Sequence, residues 1–525
     1  MKAVRFSPAM NKTSGQRIWM AVLTGLLLFL ATPPVPLGFL AWFALIPLLI
    51  SLENVIDGKE AFRLGMWTGL VYHLGTIYWI AFNTGADWGA RLGSAAGGIG
   101  LMTILVGFVA WLHYFAVKRF GKSGHLLIIM LWPAQDMLFM QGELGFPWVT
   151  LALTQAEYLP IIQIASVGGT PLVSAWVAAI NGIAAAGRDR KMTSVVLILI
   201  VLMTWGGGYI REYSISVRDS ENNLGSIALV QGNIEPAKKW ELGADHSLGI
   251  YWSITRNVIN AEKPILVVWP ETAAPVYLKR SRQWRNKMQA FVDSVGVPVA
   301  TGGSHYEIEN GVKNRYNSSF LIKPGAKGVM DWYAKIHLVP FGERVPFQKI
   351  YPDLGKLNFG QAEFKPGSGI KAWEIDGKDG QVKVSPLICY EAIFPDLGRD
   401  AVRAGAQVII NHTNDGWLAG TSEPEQHLLL SRFRSIETGL ALVRATNTGI
   451  SAIISPSGRI LRKLPEGIRG ALTAGIPEPV KTPYIKGGWL FGYIMVVVTI
   501  LIWLKLVSDE IRKRWKTNKL PSKGE

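Results

Sequence analysis

Val382-Lys383-Val384-Ser385-Pro386-Leu387-Ile388-Cys389-Tyr390-Glu391 is an apolar run, broken once by Pro386, that reaches the only cysteine in 525 residues. A run of this length and composition reads as a buried strand, with Cys389 where the strand gives way to a loop. A lone cysteine cannot form an internal disulfide, so its thiol is either inert packing or a nucleophile. Two other segments bear on the choice. Ile265-Leu266-Val267-Val268-Trp269-Pro270-Glu271 ends a strand on a carboxylate, and Trp332-Tyr333-Ala334-Lys335 ends one on an ammonium. Glutamate, lysine and cysteine at three strand ends are the parts needed to activate a thiol and hold an oxyanion.

Outward from this stretch, 225–478 alternates short apolar runs with Gly, Pro, Asn and charge. Strands are predicted at 226–230, 265–269, 297–301, 318–322, 384–388, 407–411 and 450–454, with helices at 281–295 and 426–437 among them. Strand–helix alternation predicts a layered α/β domain, whose functional groups gather at the carboxyl ends of strands. On that rule Asn411 joins Glu271, Lys335 and Cys389 as a strand-end residue.

The rest of the chain has a different texture. Composition is 49% hydrophobic and 18% charged, with 20 tryptophans and a mean hydropathy of +0.22, against roughly a quarter charged in soluble domains. Apolar runs lie at 18–31, 37–52, 62–82, 94–117, 124–140, 161–186, 194–210 and 489–507. Each approaches the ~20 residues that cross a bilayer, so about eight spans are expected, seven before the α/β domain and one after it. A cleaved signal peptide at 18–31 is disfavoured because Ala31-Thr32-Pro33-Pro34 is a poor cleavage site. The expected organisation is therefore a bundle of about seven helices over 1–215, the α/β domain over 225–478, a closing span over 487–507 and a basic tail over 508–525.

The net charge of +16 is not a nucleic-acid signature, because the cations sit in short clusters beside the apolar runs. Lys2, Arg5, Lys12 and Arg17, then Lys59 and Arg63, Lys118, Arg119 and Lys122, Arg188, Arg190 and Lys191, and the tail alternate with loops nearly free of cations, Arg91 excepted. This alternation predicts a cytoplasmic N-terminus, an external α/β domain and a cytoplasmic tail. Polar residues within spans (His73, Asp136, Gln163, Asn181) show no repeated ionisable ladder and are expected to satisfy one another.

Several stretches together carry a resemblance. Trp269-Pro270-Glu271-Thr272, Lys335-Ile336-His337-Leu338-Val339-Pro340-Phe341-Gly342-Glu343 and Ile388-Cys389-Tyr390-Glu391 match, in order, the glutamate, lysine and nucleophile motifs of the nitrilase, or carbon–nitrogen hydrolase, superfamily. Val230-Gln231-Gly232-Asn233-Ile234, Asn411-His412-Thr413-Asn414-Asp415-Gly416-Trp417 and Arg444-Ala445-Thr446-Asn447-Thr448-Gly449 extend the match. The one local departure is His412-Thr413, where a smaller apolar or hydroxyl pair is expected. Spans included, the chain resembles the membrane-embedded branch of that superfamily that acylates bacterial lipoproteins.

The resemblance implies an α-β-β-α sandwich and a triad of Glu271 (base), Lys335 (oxyanion) and Cys389 (nucleophile). It also implies that Glu343 orients Lys335; Glu391, beside the nucleophile, is expected to tune Glu271 or to form a structural salt bridge, with Tyr390 supporting. The implied reaction takes the sn-1 acyl chain of a phospholipid through a cysteine thioester to the α-amine of a lipoprotein's diacylglyceryl-cysteine. It would run in the bacterial inner membrane, with the domain facing the periplasm, in a monomer without nucleic acid. Trp240, Asn317, Phe341, Asn414 and Trp417 are candidates for a rim or lid, and Trp240, Tyr277, Trp332 and Trp417 look exposed enough to pack on acyl chains and exclude water. His337 is a weak alternative base; with no His-Glu-x-x-His and no second cysteine, neither metal nor cofactor is expected. The rivals are a membrane-anchored amidase, for which seven spans are excessive, and a transporter, which leaves the Glu–Lys–Cys set unexplained.

Overall fold

The computed structural model describes residues 12–357 and 363–518, so Lys2 and Arg5 of the basic leader lie outside the described residues. The α/β region contains β1 (Asn223–Gln231), β2 (Leu266–Val268), β3 (Val299–Glu309), β4 (Val312–Ile322), β5 (Met330–Ala334), β6 (Trp373–Asp376), β7 (Gln381–Ile388), β8 (Val408–Thr413), β9 (Ala441–Thr446), β10 (Ser451–Ile454), β11 (Ile460–Leu464) and β12 (Gly470–Pro477). They form two six-stranded sheets, ordered β12-β1-β2-β3-β4-β5 and β11-β10-β9-β8-β7-β6.

Each sheet has a parallel centre, β1–β2–β3 in one and β7–β8–β9 in the other, flanked by antiparallel strands. Parallel strands covered on both faces need apolar residues throughout, and β2, β8 and β9 are buried along their whole length. Pro386 is tolerated in β7 because β6 pairs only as far as Val384, leaving no ladder bond on that side for it to break.

The sheets pack face to face through Ile227, Leu229 and Val268 from one and Val384, Ile388, Ile410 and Val443 from the other. Helices Gly243–Glu262 and Arg282–Val295 cover the outer face of the first sheet. On the second, helices Pro395–Arg403 and Glu423–Thr438 form the outer layer, giving the α-β-β-α sandwich. That layer does not face water. All of Glu423–Thr438 except Glu425 and Arg432 is buried, because its far side packs on the N-terminal bundle in one continuous apolar core.

The junction is polar at its centre. Gln426 Oε1 accepts from the indoles of Trp79 (3.1 Å) and Trp148 (2.8 Å), while its Nε2 donates to the carbonyls of Pro33 (2.9 Å) and Thr76 (3.2 Å). Glu437 Oε1 accepts from the Thr170 amide at 2.8 Å, and the Tyr390 hydroxyl donates to the Gly145 carbonyl at 2.5 Å.

Among the described residues, four helical stretches are long and apolar enough to cross a membrane: Trp88–Leu138, Ala165–Ala186, Arg190–Asp219 and Tyr484–Arg512. The runs at 94–117 and 124–140 fall in two helices, Trp88–Phe120 and Ile128–Leu138, between which the chain turns back at Gly121 (φ +60), so that His113 and His125 meet at 3.0 Å. The second of these is short, and 37–52 breaks into short helical segments around Pro47, so eight apolar runs do not become eight long helices. Arg190–Asp219 and Tyr484–Arg512 are hardly covered by protein, as suits lipid-facing helices. The polar groups inside bond to other segments: Ser174 Oγ donates to Asp136 at 2.5 Å, Asn181 Nδ2 to the Ala41 carbonyl at 2.8 Å, Gln163 Nε2 to the Ser457 carbonyl of the α/β domain at 2.8 Å, and His73 lies 3.4 Å from Thr103 Oγ1.

Candidate active site

Glu271, Lys335 and Cys389 come from three different strand ends and meet at one edge of the sandwich. Glu271 follows β2 after Trp269-Pro270, Lys335 follows β5, and Cys389 opens a short turn after β7. Lys335 is 1% exposed, with Nζ 2.8 Å from Glu343 Oε2 and 3.8 Å from Glu271 Oε1. Asn317 closes the ring. Its Nδ2 donates to Glu271 Oε1 (2.7 Å) and to Glu343 Oε1 (2.8 Å), which uses both amide protons. Asn317 is thus a buried member of β4 that holds two carboxylates around one ammonium, and is not part of a lid.

The electrostatics follow from one cation serving two carboxylates. Burial disfavours the ammonium, but Glu343 and then Glu271 outweigh it and push Lys335 above the ordinary lysine value. Burial foremost pushes the Glu271 carboxyl up, Lys335 opposes this, and Glu343 adds to it. The Cys389 thiol is also pushed up, by burial and then by the charge of Glu271, with Lys335 opposing. The resting cysteine is therefore a neutral thiol beside a carboxylate of raised basicity, an arrangement for general-base activation. Lys239 is a further charge near Glu271 that its sequence context does not reveal: it is buried, its Nζ has no hydrogen-bond partner among the described residues, and burial lowers its pKa to about 8 against the pull of Glu271.

Glu391 neither tunes Glu271 by contact nor forms a salt bridge. It is fully buried and accepts from the amides of Ile336 (2.6 Å) and Ile388 (2.7 Å) and from the Tyr333 hydroxyl (2.7 Å). It ties the lysine segment to the turn that carries Cys389. His412, the departure from the expected motif, lies between the sheets, with Nε2 2.8 Å from Ser319 Oγ and Nδ1 2.6 Å from the Trp269 carbonyl, and burial lowers its pKa to about 4. It fixes the strand end that carries Glu271. His337 is turned elsewhere: Nε2 is 2.9 Å from Asp396 Oδ2 and the ring stacks on Phe394 at 4.2 Å.

The aromatic and rim candidates separate. Phe341 is exposed on the loop after Lys335, with φ +59. Asn414 is half-buried and accepts from Asn447 Nδ2 at 3.1 Å. Trp417 is half-buried: its ring lies against Gly85 and its carbonyl accepts from the Thr84 amide at 2.9 Å, so it faces the bundle. Tyr277 and Trp332 are capped by Lys313 (5.3 Å) and Lys279 (4.8 Å) and packed on Tyr306 and His305, and so are not free to hold acyl chains. The backbone of Trp240 lies in helix Pro236–Glu241, and its side chain lies outside the described residues. Asn411 is not at a strand end but inside β8, where its Nδ2 donates to the Cys389 carbonyl at 3.3 Å.

Cys389, Asp415 and His427 offer ligand-type atoms within 4.8 Å of one another. Asp415 Oδ2, however, takes the Arg444 guanidinium at 2.7 Å, and both His427 nitrogens face oxygens of the protein. The trio is a hydrogen-bond network.

The carbon-nitrogen hydrolase family model matches residues 226–482, and the model for the N-terminal domain of apolipoprotein N-acyltransferase matches residues 24–183. The chain is similar to the apolipoprotein N-acyltransferase of Geobacter metallireducens, at 35% identity over 84% of this chain and 85% of that protein. It is similar to those of Chlorobaculum tepidum, at 30% identity over 89% and 92%, and Rhodopseudomonas palustris, at 32% over 93% and 95%.

Proposed function

The chain belongs to the apolipoprotein N-acyltransferase family, and on that premise we propose that Cys389, Glu271 and Lys335 carry acyl transfer from a phospholipid to a lipoprotein. The observation that carries the assignment is the position of Lys335 Nζ, 2.8 Å from Glu343 and 3.8 Å from Glu271, with its charge felt at Cys389. Glu271 takes the thiol proton as Sγ bonds to the sn-1 ester carbonyl. Negative charge moves to the carbonyl oxygen, where Lys335 and a backbone N–H of the nucleophile turn stabilise it. Collapse breaks the C–O bond, Glu271 returns the proton to the departing alkoxide, and lysophospholipid leaves behind an acyl-thioester. The α-amine of the diacylglyceryl-cysteine then attacks, loses a proton to Glu271 and expels the thiolate, which regains that proton. Glu343 and Asn317 hold Lys335 and Glu271 in place, and Phe341, Asn414, Trp417 and Trp240 form the rim. No cofactor takes part.

The buried junction at Gln426 suits substrates that never leave the bilayer, because it builds the catalytic sandwich into the membrane bundle. A membrane-anchored amidase is not favoured. The proposed organisation is the bundle over 1–215 with about seven spans, the catalytic domain over 225–478 in the periplasm, the eighth span over 487–507 and the cytoplasmic tail over 508–525. Every proposed catalytic group comes from one chain, so a monomer suffices.

The activity is tested with a diacylglyceryl lipopeptide bearing a free α-amine, incubated with the protein and phospholipid. The lipopeptide is expected to gain one acyl mass and lysophospholipid to accumulate in equal amount; ammonia release from small amides without lipopeptide acylation would overturn the assignment. The orientation is tested by reporter fusions at Gly243 and Lys516, which are expected to report opposite compartments. Both on one side would rule out the eight-span arrangement.

A further inference from the structure

The mechanism leaves unused a buried polar network that ends on the nucleophile's own backbone. The Cys389 carbonyl accepts from Asn411 Nδ2 and from His427 Nε2, each at 3.3 Å. Arg444 anchors both arms: Nη1 donates to Asn411 Oδ1 at 2.9 Å and Nη2 to Asp415 Oδ2 at 2.7 Å. Asp415 Oδ1 in turn lies 3.1 Å from His427 Nδ1, with Glu423 Oε1 at 3.3 Å. Arg444 and Asn411 are 0% exposed, His427 1% and Asp415 3%.

The network meets a point of strain. Cys389 has φ +51, in the left-handed region, where a residue with a side chain pays roughly 1–2 kcal/mol. Such a conformation persists only where its surroundings hold it. We propose that Arg444, Asn411, Asp415 and His427 form a clamp on the Cys389 carbonyl, in which His427, as the imidazolium, is a positioning residue for the nucleophile. The inference rests on the reading of Cys389 as the nucleophile.

The protonation state follows from the partners. Nε2 faces a carbonyl, which only accepts, and Nδ1 faces two carboxylates, so the ring has reason to donate at both nitrogens. Burial and Arg444 pull the His427 pKa down, and Asp415 with Glu423 outweigh them, leaving it above the ordinary histidine value. The charged and titratable groups around the ring are Asp415 after β8, Glu423 on its own helix, Arg444 on β9 and Cys389; the bundle contributes the uncharged Trp148 ring at 5.3 Å. Burial and then Asp415 push Glu423 up to about 7, and its ionisation strengthens the imidazolium. The charged clamp is therefore complete at low pH and is lost as pH rises through the raised His427 pKa. Because Gln426 is held by Trp79 and Trp148, the next residue of the same helix is fixed by the membrane bundle.

The test is single-turnover thioester formation by the full-length protein with phospholipid, from about pH 6 to about pH 10, beyond the ordinary histidine range. Wild type is expected to show a descending alkaline limb. His427→Ala should slow the step on the order of 10²-fold, the scale of a misplaced reacting atom. His427→Gln, which keeps a donor but cannot titrate, should retain more rate than His427→Ala and lack the limb. An unchanged limb in His427→Gln, or a wild-type rate in His427→Ala, overturns the clamp. If His427→Ala does not fold, the His427→Gln profile decides; if neither folds, a wild-type rate that does not fall at alkaline pH overturns it. A wild-type protein that never gains an acyl mass on Cys389 removes the nucleophile reading, and the clamp with it.

Discussion

Mixed with phospholipid and no acceptor, the protein is expected to gain the mass of one acyl chain, and Cys389→Ala to gain nothing. The adduct should be removed by hydroxylamine at neutral pH, as a thioester is, and consumed by a lipopeptide with a free α-amine. The expectation is sharp because Cys389 is the only thiol in the chain, so no other residue can form a thioester. It is also separable from unfolding. Cys389 is only partly buried, and alanine adopts its φ of +51 at the same backbone cost, so the substitution removes a sulfur without opening a large cavity. Loss of turnover with an unchanged thermal transition is the predicted pattern. A Cys389→Ala protein that still transfers acyl chains at near the wild-type rate would exclude the thioester route.

The sandwich was legible where local pattern and strand ends coincide. Trp-Pro-Glu after one apolar run, lysine after another and cysteine after a third are visible because each motif is a strand followed at once by its functional residue. What lay beyond reading is what depends on register between distant segments. β12 pairs with β1 across more than two hundred residues, Asn223 opposite Pro477, and no local periodicity announces that. Asn317 is a rim or lid candidate by sequence; the ladder Ser304↔Asn317 puts it inside a strand instead, aimed at two carboxylates. Glu391 was grouped with the charges of the site by its nearness to Cys389, whereas its oxygens are taken by backbone amides and a tyrosine hydroxyl. His427 lies 38 residues from Cys389 on a helix whose apolar content reads as core. Its partners Asp415 and Arg444 come from other elements, so spacing alone could not assemble them. The helix-by-helix division of the bundle was hard for the opposite reason. Apolar composition marks runs that suit a bilayer but not how long a helix each one forms: the run at 37–52 breaks at Pro47, and the one at 124–140 yields only the short helix Ile128–Leu138.

Glu271→Gln is expected to slow thioester formation by a factor of ~100 or more, the usual contribution of a positioned general base. Glutamine keeps the shape and can still meet Asn317, but it cannot take the thiol proton, and the thiol's own pKa is raised by burial, so little thiolate forms unaided. In wild type the step should accelerate as pH rises through the Glu271 pKa. Burial and Glu343 place that value above the ordinary ~4.3 of glutamate, so activity is lost on acidification at a higher pH than a free carboxylate would give. This acidic limb should vanish in Glu271→Gln, leaving a low rate. Lys335→Ala is expected to be comparably slow, since one oxyanion donor is worth about 3 kcal/mol. It differs in stability. Lys335 is 1% exposed between Glu271 and Glu343, and removing the ammonium leaves the buried Glu271 and the half-buried Glu343 without their cation, a loss of about 3–5 kcal/mol where a buried pair is broken. The two variants thus divide the ring's roles. Glu271→Gln should fail in rate with its melting transition retained, and Lys335→Ala should fail in both. An adduct that forms at the normal rate in Glu271→Gln would move the base elsewhere. His337, bonded to Asp396 and stacked on Phe394, could supply it only after leaving both partners.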